Sequence, residues 1–336
     1  MTGSRKVMRV DKAGGSAVML EEKTELDKVQ AELVGVNCAT EEEIIEAAQE
    51  ADVIITEGAR MTRRVMEGLS RCQAIIRYGI GYDTIDIGAA NDNNIVVVNI
   101  PDFCFEEVAN HALSFLLILS KKMFLMHKLM KEGRWAKAHG ALPPMGAVHE
   151  ETLGIIGTGN IGRTVARKAQ CFKFRILGYD PYVDKTLAKD AGITLTPMSQ
   201  VLQESDYLTL HPLLNQETRH LIGEKELKQM KPSAYLINTS RGPVVDEVAL
   251  IKAIRQKWIA GAGLDVFEKE PIDPDNPLLK MDNVIVTPHS ASYSDVAFRR
   301  LRTCVGQEAA RVVAGRWPKN VVNKTVKPKV KLAKEG

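Results

Sequence analysis

The sequence predicts an α/β protein of two doubly wound parallel-sheet lobes, and three observations carry that expectation. The chain has 336 residues and is 45% hydrophobic, enough to bury more than one core, because single cores stop growing at roughly 250–300 residues. Short apolar runs alternate with helix-like segments along most of its length, which is the grammar of parallel strand–helix–strand units. A glycine-rich turn, Gly157-Thr158-Gly159-Asn160-Ile161-Gly162, stands near the middle of the chain rather than at its start. The charged fraction of 26% and formal charge of +3 are ordinary for a globular protein. They give no electrostatic case for nucleic acid or membrane as the main partner.

In chain order, "MTGSRKVMRVDKAGG" lacks the apolar core of a signal peptide, and the most apolar run, Ala112 to Leu119, falls short of the roughly 20 residues a membrane span needs. A cytoplasmic protein is expected. The runs "KVMRV", "AELVGV", "ADVIIT", "QAIIRYG" and "NIVVVN" read as strands, and "TEEEIIEAAQE" and "MTRRVMEGL" as helices between them. Thr40 followed by Glu43 supplies a capping box for the first of these helices. After Pro101-Asp102, "FEEVANHALSFLLILSKKMFLMHKLMKEGRW" reads as one long helix, acidic in its first turn and apolar on nearly every face. Such a helix must be buried between lobes or subunits, with His111, Met123, Met126 and Met130 as packing residues. The five cysteines are scattered without CxxC or paired spacing, so neither a disulfide framework nor a metal site is indicated. The lysine-rich end "NKTVKPKVKLAKEG" reads as a solvated, disordered tail.

The central turn has chemical content. The strand "LGII" runs into it, "RTVARKAQ" is helical after it, and "FRILGY" is strand again. In that context Gly157 permits the tight turn, Gly159 lets the backbone approach a pyrophosphate, and Gly162 lets helix and strand pack closely. The helix N-terminus offers its N–H groups to the anion. Asp180, at the end of the next strand, can accept from an adenosine ribose hydroxyl. It would repel a 2′-phosphate, and no arginine follows within "DPYVD", so NAD is expected over NADP.

Later strands end in polar residues: "SDYLTL" at His211, "SAYLIN" at Thr239-Ser240-Arg241, "AGAGL" at Asp265 and "NVIV" at Thr287-Pro288-His289. In an open parallel sheet the ligand crevice lies beyond those carboxyl ends. Arg241 can grip a carboxylate with two parallel hydrogen bonds. His289 can give or take a proton near neutral pH, and Glu270 can orient it and favour its charged form. Together with a nicotinamide they suit reduction of a 2-oxo acid. Taken singly, each of the three also reads as a surface or core residue, and spacing alone does not decide.

"GTGNIG" with its downstream aspartate, "NTSRGPVVDEVAL", "GAGLDVFEKEP" and "NVIVTPHSAS" resemble, in order and spacing, the successive signatures of the D-isomer-specific 2-hydroxyacid dehydrogenases, over nearly the whole chain. The loop "YGIGYDTID" and the stretch "VNIPDFCFEEVANHA" look closest to the bacterial C-terminal-binding-protein-like branch. The resemblance implies a Rossmann NAD domain, residues 103–291, inserted into a flavodoxin-like substrate domain, residues 1–102 and 292–325, with 326–336 as the tail. It explains why 151 residues precede the strand of the glycine turn, and it makes "AFRRLRTCVGQEAARVVAGRW" the helix that returns to the first lobe. A cleft between lobes would close over substrate. It implies Arg241, Glu270 and His289 as catalytic residues. The cofactor would be NAD, held by Gly157 to Gly162 with Thr158, Asn160 and Ile161, Asp180, His211, Pro212, Thr218, Thr239, Ser240, Arg241, Asp265 and His289. Tyr78, Gly79, Ile80 and Gly81, with Arg241 and His289, would hold the substrate, a small 2-oxo or 2-hydroxy acid. A homodimer through the 104–130 helix region is implied as well.

Two departures matter. His211-Pro212-Leu213-Leu214 replaces the common His-x-Pro-Leu, and Ser292 stands where the animal corepressors of the family carry tryptophan. Formate-type relatives would have glutamine in place of Glu270. The rival from another class is an NAD(H)-responsive binding module with little activity.

Overall fold

The computed structural model describes residues 5–14 and 18–334, and the chain divides into two compact units, Met1–Phe103 with Ser294–Gly336, and Cys104–Tyr293.

In the first unit, β1 (Arg5–Asp11), β2 (Ala31–Asn37), β3 (Val53–Thr56), β4 (Ala74–Arg77) and β5 (Val96–Val98) form a parallel sheet in the order β2-β1-β3-β4-β5. This is the flavodoxin-like doubly wound order. Its central strands are continuous apolar runs because both faces are covered: every residue of β3 and β5 is buried. The helix Glu41–Ala48 begins with the expected box, Thr40 Oγ1 accepting from Glu43 N–H at 3.2 Å and Glu43 accepting from Thr40 N–H at 3.2 Å. The helix Asp295–Val313, capped by Ser294, packs against Leu20–Asp27. Gly306 allows the approach, since a Cβ there would lie 2.9 Å from Glu22 Cα.

The expectation of a disordered end at 326–336 is corrected for residues 326–334. Val326 and Leu332 are buried. Lys329 donates its N–H to Asn94 O at 3.2 Å and its ammonium to the carbonyls of Leu69 and Ser70 at 2.9 and 3.1 Å. Ala333 N–H donates to Gly315 O and Trp317 N–H to Ala333 O, both at 2.8 Å. The last two residues lie outside the described ones.

The second unit contains β6 (Thr152–Ile156), β7 (Arg175–Tyr179), β8 (Thr194–Leu195), β9 (Tyr207–Leu210), β10 (Tyr235–Asn238), β11 (Gly261–Leu264) and β12 (Val284–Val286). They pair in parallel in the order β12-β11-β10-β9-β6-β7-β8, the Rossmann order with one added strand, its direction of winding reversing between β6 and β9. Alternate residues feed opposite cores: Leu236 and Leu177 pack on one face, Ile237 and Ile176 on the other. The expected long helix is two, Phe105–Ser120 and Met123–Lys131, bent by 61°. The break is at Lys122, which has φ +49° and an ammonium held by the carbonyls of Ala141 and Leu142 at 2.9 and 3.1 Å. Among the described residues no single helix is long and apolar enough to cross a membrane.

Candidate active site

The three glycines of the turn after β6 have separate geometric reasons. Gly157 has φ +84°, and a Cβ on it would lie 2.5 Å from Pro212 N and 2.7 Å from the His211 carbonyl carbon. The turn and the end of β9 are therefore in backbone contact at the point where the winding reverses. A Cβ on Gly162 would lie 2.2 Å from Gly157 O, which closes the helix Asn160–Ala169 onto the turn. Gly159 faces open space, at the N-terminus of that helix. A pyrophosphate fits there, against N–H groups and the positive end of the helix dipole.

Asp180 is half-buried just past β7. Its Oδ2 accepts from Thr158 N–H at 2.8 Å and its Oδ1 from Tyr182 N–H at 2.9 Å, which fixes the carboxylate beside the turn with lone pairs to spare. His211 Nε2 meets Thr209 Oγ1 at 2.9 Å. Burial drives its pKa down to about 3, so the ring is neutral. His211 Nδ1 and Thr239 Oγ1 are buried and have no partner among the described residues. Two orphaned polar atoms at the ends of β9 and β10, with the open space at Gly159, fit a dinucleotide lying along this edge. Thr218 has another occupation: its hydroxyl donates to Leu213 O at 2.5 Å and accepts from Asn215 N–H at 2.8 Å, closing its own loop.

Arg241 follows β10 on a loop pinned from beneath. The buried Asn238 accepts from Ser240 N–H at 3.0 Å and donates to Arg241 O at 2.8 Å. A Cβ on Gly242 would lie 1.9 Å from the carbonyl of Phe267, so this loop is pressed against the one bearing Glu270. Neither residue was singled out from sequence, because a buried amide and a close backbone approach leave no local signature.

His289 Nδ1 and Glu270 Oε2 are 2.6 Å apart. An ionised carboxylate only accepts, so Nδ1 carries the proton of that bond and Nε2 is the ring nitrogen left for other chemistry; the side chain is 45% exposed. Glu270 also accepts from Phe267 N–H at 3.0 Å. Burial would raise its pKa, but the bond to His289, the Phe267 N–H and the nearby Arg241 outweigh burial and hold it below the ordinary 4.5. A depressed carboxyl adds stability that is complete above its unfolded pKa and is lost as pH falls through the folded one. At neutral pH Glu270 is therefore an anion. Glu270→Gln is expected to lower turnover by roughly tenfold or more, because the His289 ring loses the charge-assisted hydrogen bond that orients it. Unchanged turnover would remove Glu270 from the group that positions His289.

His289 itself has φ +51°, a conformation costing a non-glycine residue about 1–2 kcal/mol. Asp265 over-determines it. The Asp265 backbone carbonyl accepts from His289 N–H at 2.8 Å, and its buried carboxylate accepts from the N–H groups of Ser290 and Ala291, both at 2.8 Å, and from Thr287 Oγ1 at 2.5 Å. Since Thr287 spends its proton on Asp265, it must accept from His111 Nε2, 2.9 Å away. His111, read from sequence as a packing residue, thus bonds to the strand end that carries His289. Asp265 is placed as the support of this loop.

In the first unit, Tyr78 N–H donates to Thr56 O at 2.7 Å and Gly79 N–H to Arg77 O at 3.0 Å. The Tyr78 ring is buried beneath the Arg9 guanidinium, 4.7 Å from its centroid. The N–H groups of Ile80 and Gly81 have no partner among the described residues, so of the four expected ligand residues these two carry the open donors. Asn99 and Ile100 bond the carbonyls of Ile80 and Gly79 at 2.7 and 3.0 Å and hold the loop.

The sequence model of the D-isomer specific 2-hydroxyacid dehydrogenase, NAD binding domain, matches residues 113–291. A glyoxylate reductase of Korarchaeum cryptofilum is 40% identical over 285 residues, 84% of this chain and 86% of that protein. The solved D-lactate dehydrogenase of Aquifex aeolicus, complexed with NAD and lactic acid, superposes with a TM-score of 0.83 at 29% identity, covering 95% of this chain and 99% of that one. An NADPH-dependent glyoxylate/hydroxypyruvate reductase of Sinorhizobium meliloti, in complex with NADP and malonate, gives 0.83 at 28% identity, covering 97% and 99%.

Proposed function

The chain belongs to the D-isomer-specific 2-hydroxyacid dehydrogenase family, a nicotinamide-dependent oxidoreductase interconverting 2-oxo and 2-hydroxy acids, and we propose that its cofactor is NAD(H) and its product a D-2-hydroxy acid. The observation that carries the reading is the bonded pair His289–Glu270, with Arg241 close enough to lower the Glu270 pKa.

When bound, the reduced nicotinamide supplies a hydride to the carbonyl carbon of the 2-oxo acid. Arg241 takes the substrate carboxylate in its planar fork, and its charge draws electron density from the neighbouring carbonyl. His289 gives its Nε2 proton to the carbonyl oxygen. Glu270 holds the ring through Nδ1 and so sets the orientation in which Nε2 is presented. In the oxidative direction the neutral ring removes the hydroxyl proton. Gly157 to Gly162, Asp180, His211, Pro212, Thr218, Thr239, Ser240 and Asp265 are assigned to the cofactor or its support. Tyr78 to Gly81 are assigned to substrate through the N–H groups of Ile80 and Gly81. For NAD over NADP, the support is the fixed Asp180 carboxylate beside the turn. The names of the relatives point first to glyoxylate as substrate.

Oxidation of NADH and of NADPH is the test, followed with 2-oxo acids from glyoxylate to branched and phosphorylated ones. Turnover with NADH on one or a few small acids is expected. Tight NADH binding without turnover on any acid would replace the enzyme by the binding module.

We also assign a homodimer, in the cytoplasm. The dimer is supported by Met123, Phe124, Met130 and Trp135, which expose large apolar surface on neighbouring helices, 56% for Met123 and 68% for Trp135. Light scattering is expected to give twice the chain mass, and a monomer across the micromolar range would overturn the assignment.

A further inference from the structure

We propose that Glu217, bonded to Tyr182, forms a strap across the dinucleotide turn and acts beside Asp180 as a second acidic determinant of cofactor choice. The proposal rests on the NAD(H) reading of the unit Cys104–Tyr293.

Tyr182 lies just beyond β7, and its hydroxyl donates to Glu217 Oε2 at 2.5 Å. Glu217 lies in the loop after β9. In the sheet, β9 and β7 flank β6 on either side, all parallel, so the loops at their carboxyl ends flank the turn Gly157–Gly162. A bond from one flanking loop to the other has to cross the end of β6, where that turn stands.

Both partners are held in place. Tyr182 shares a short turn with Asp180, to whose Oδ1 it donates its N–H. Glu217 donates its N–H to Asn215 Oδ1 at 2.8 Å, within the loop that Thr218 closes through Leu213 O and Asn215 N–H. Tyr182 remains 77% exposed, so the ring reaches Glu217 through solvent rather than by lying on an apolar surface. The Tyr182 hydroxyl has its pKa raised by the Glu217 bond, then by the Glu217 charge, with Asp180 contributing in the same direction. Both carboxylates thus bond to Tyr182, Asp180 through its N–H and Glu217 through its hydroxyl.

A cofactor 2′-phosphate brings close to two negative charges at neutral pH, as any phosphate monoester does. At this rim it would meet two carboxylates instead of one. The site is open to water, so the repulsion is screened and is worth a several-fold effect that salt weakens. The hydrogen bond has a separate consequence: a strap over the turn slows release of whatever lies beneath it.

Two variants of the full chain separate charge from bridge. Glu217→Gln removes the charge and keeps an oxygen for Tyr182, whereas Tyr182→Phe keeps the charge and removes the bridge. Fluorescence titration gives Kd for NADH and NADPH, and stopped-flow gives NADH release. Glu217→Gln is expected to improve the NADPH-to-NADH affinity ratio by about 3- to 10-fold at low salt and by less at about 0.5 M salt. Tyr182→Phe is expected to leave the ratio unchanged and to speed NADH release by roughly 3-fold, as the loss of one modest hydrogen bond should. If the wild type prefers NADH and both variants stay within about twofold of it in ratio and release, the strap is overturned while the NAD reading stands. A wild type that prefers NADPH overturns the NAD reading and the strap with it.

Discussion

Replacing His289 with alanine is expected to lower kcat for 2-oxo acid reduction by roughly 10²- to 10⁴-fold, the usual worth of a positioned general acid, while Kd for NADH changes little. The split follows from where the ring sits. Its Nδ1 is occupied by Glu270, so the group lost is an Nε2 proton delivered to the developing alkoxide, an interaction made in the transition state and absent from cofactor binding. Alanine has a second effect, because residue 289 lies at φ +51°, a conformation in which histidine is enriched and alanine is not. Asparagine tolerates that conformation far better than most residues and still provides no acid near neutral pH. His289→Asn is therefore expected to lose activity as His289→Ala does, with the thermal midpoint closer to that of the wild type. Undiminished turnover in both variants would falsify the acid/base assignment. Loss in alanine alone would trace the effect to the backbone of residues 287–291, which Asp265 holds.

What was legible in the sequence was whatever acts locally. Gly157 and Gly162 meet constraints set by residues within the same strand–turn–helix unit or at the adjacent strand end, Gly159 faces open space at the helix N-terminus, and Asp180 falls where the next strand stops. The apolar runs of β3, β5, β6 and β10 are visible because parallel strands are buried on both faces. What was not legible depends on partners far along the chain. The lysine-rich end looks solvated by composition, yet Lys329 reaches carbonyls at Leu69 and Ser70. The long apolar helix breaks at Lys122, where the ammonium is captured by carbonyls about twenty residues later. β8 is two residues long, too short for any periodicity. His111 looks like packing because its helix is apolar, and only the proton order through Thr287 and Asp265 shows it to be a donor. In the Tyr78–Gly81 loop the glycine pattern marks a ligand turn, but which N–H groups stay open is decided by Thr56 and Arg77.

The second large effect is expected at Arg241. Arg241→Ala should lower kcat/KM for the 2-oxo acid by roughly 10²- to 10⁴-fold, since two charge-assisted hydrogen bonds of about 1.5–3 kcal/mol each are lost and every 1.4 kcal/mol is tenfold. Part of the loss should appear in KM, because the carboxylate is held in ground and transition states alike. Part should appear in kcat, because the same charge polarises the carbonyl as it is reduced. Arg241→Lys separates charge from geometry. Lysine restores the charge but not the planar fork, and the loop cannot shift to compensate. Asn238 ties it on one side, and on the other Gly242 is packed against the Phe267 carbonyl with no room for a Cβ. Lysine is therefore expected to recover only a small part of the activity. Arg241 also helps to hold the Glu270 carboxyl below 4.5, so its removal should let that pKa rise and bring the acid-side loss of activity to higher pH. A change in KM alone would make Arg241 a binding residue only, and no change in either constant would remove it from the site. Partial rescue of Arg241→Ala by free guanidinium, with none by ammonium, would identify the planar fork as the group that the substrate carboxylate requires.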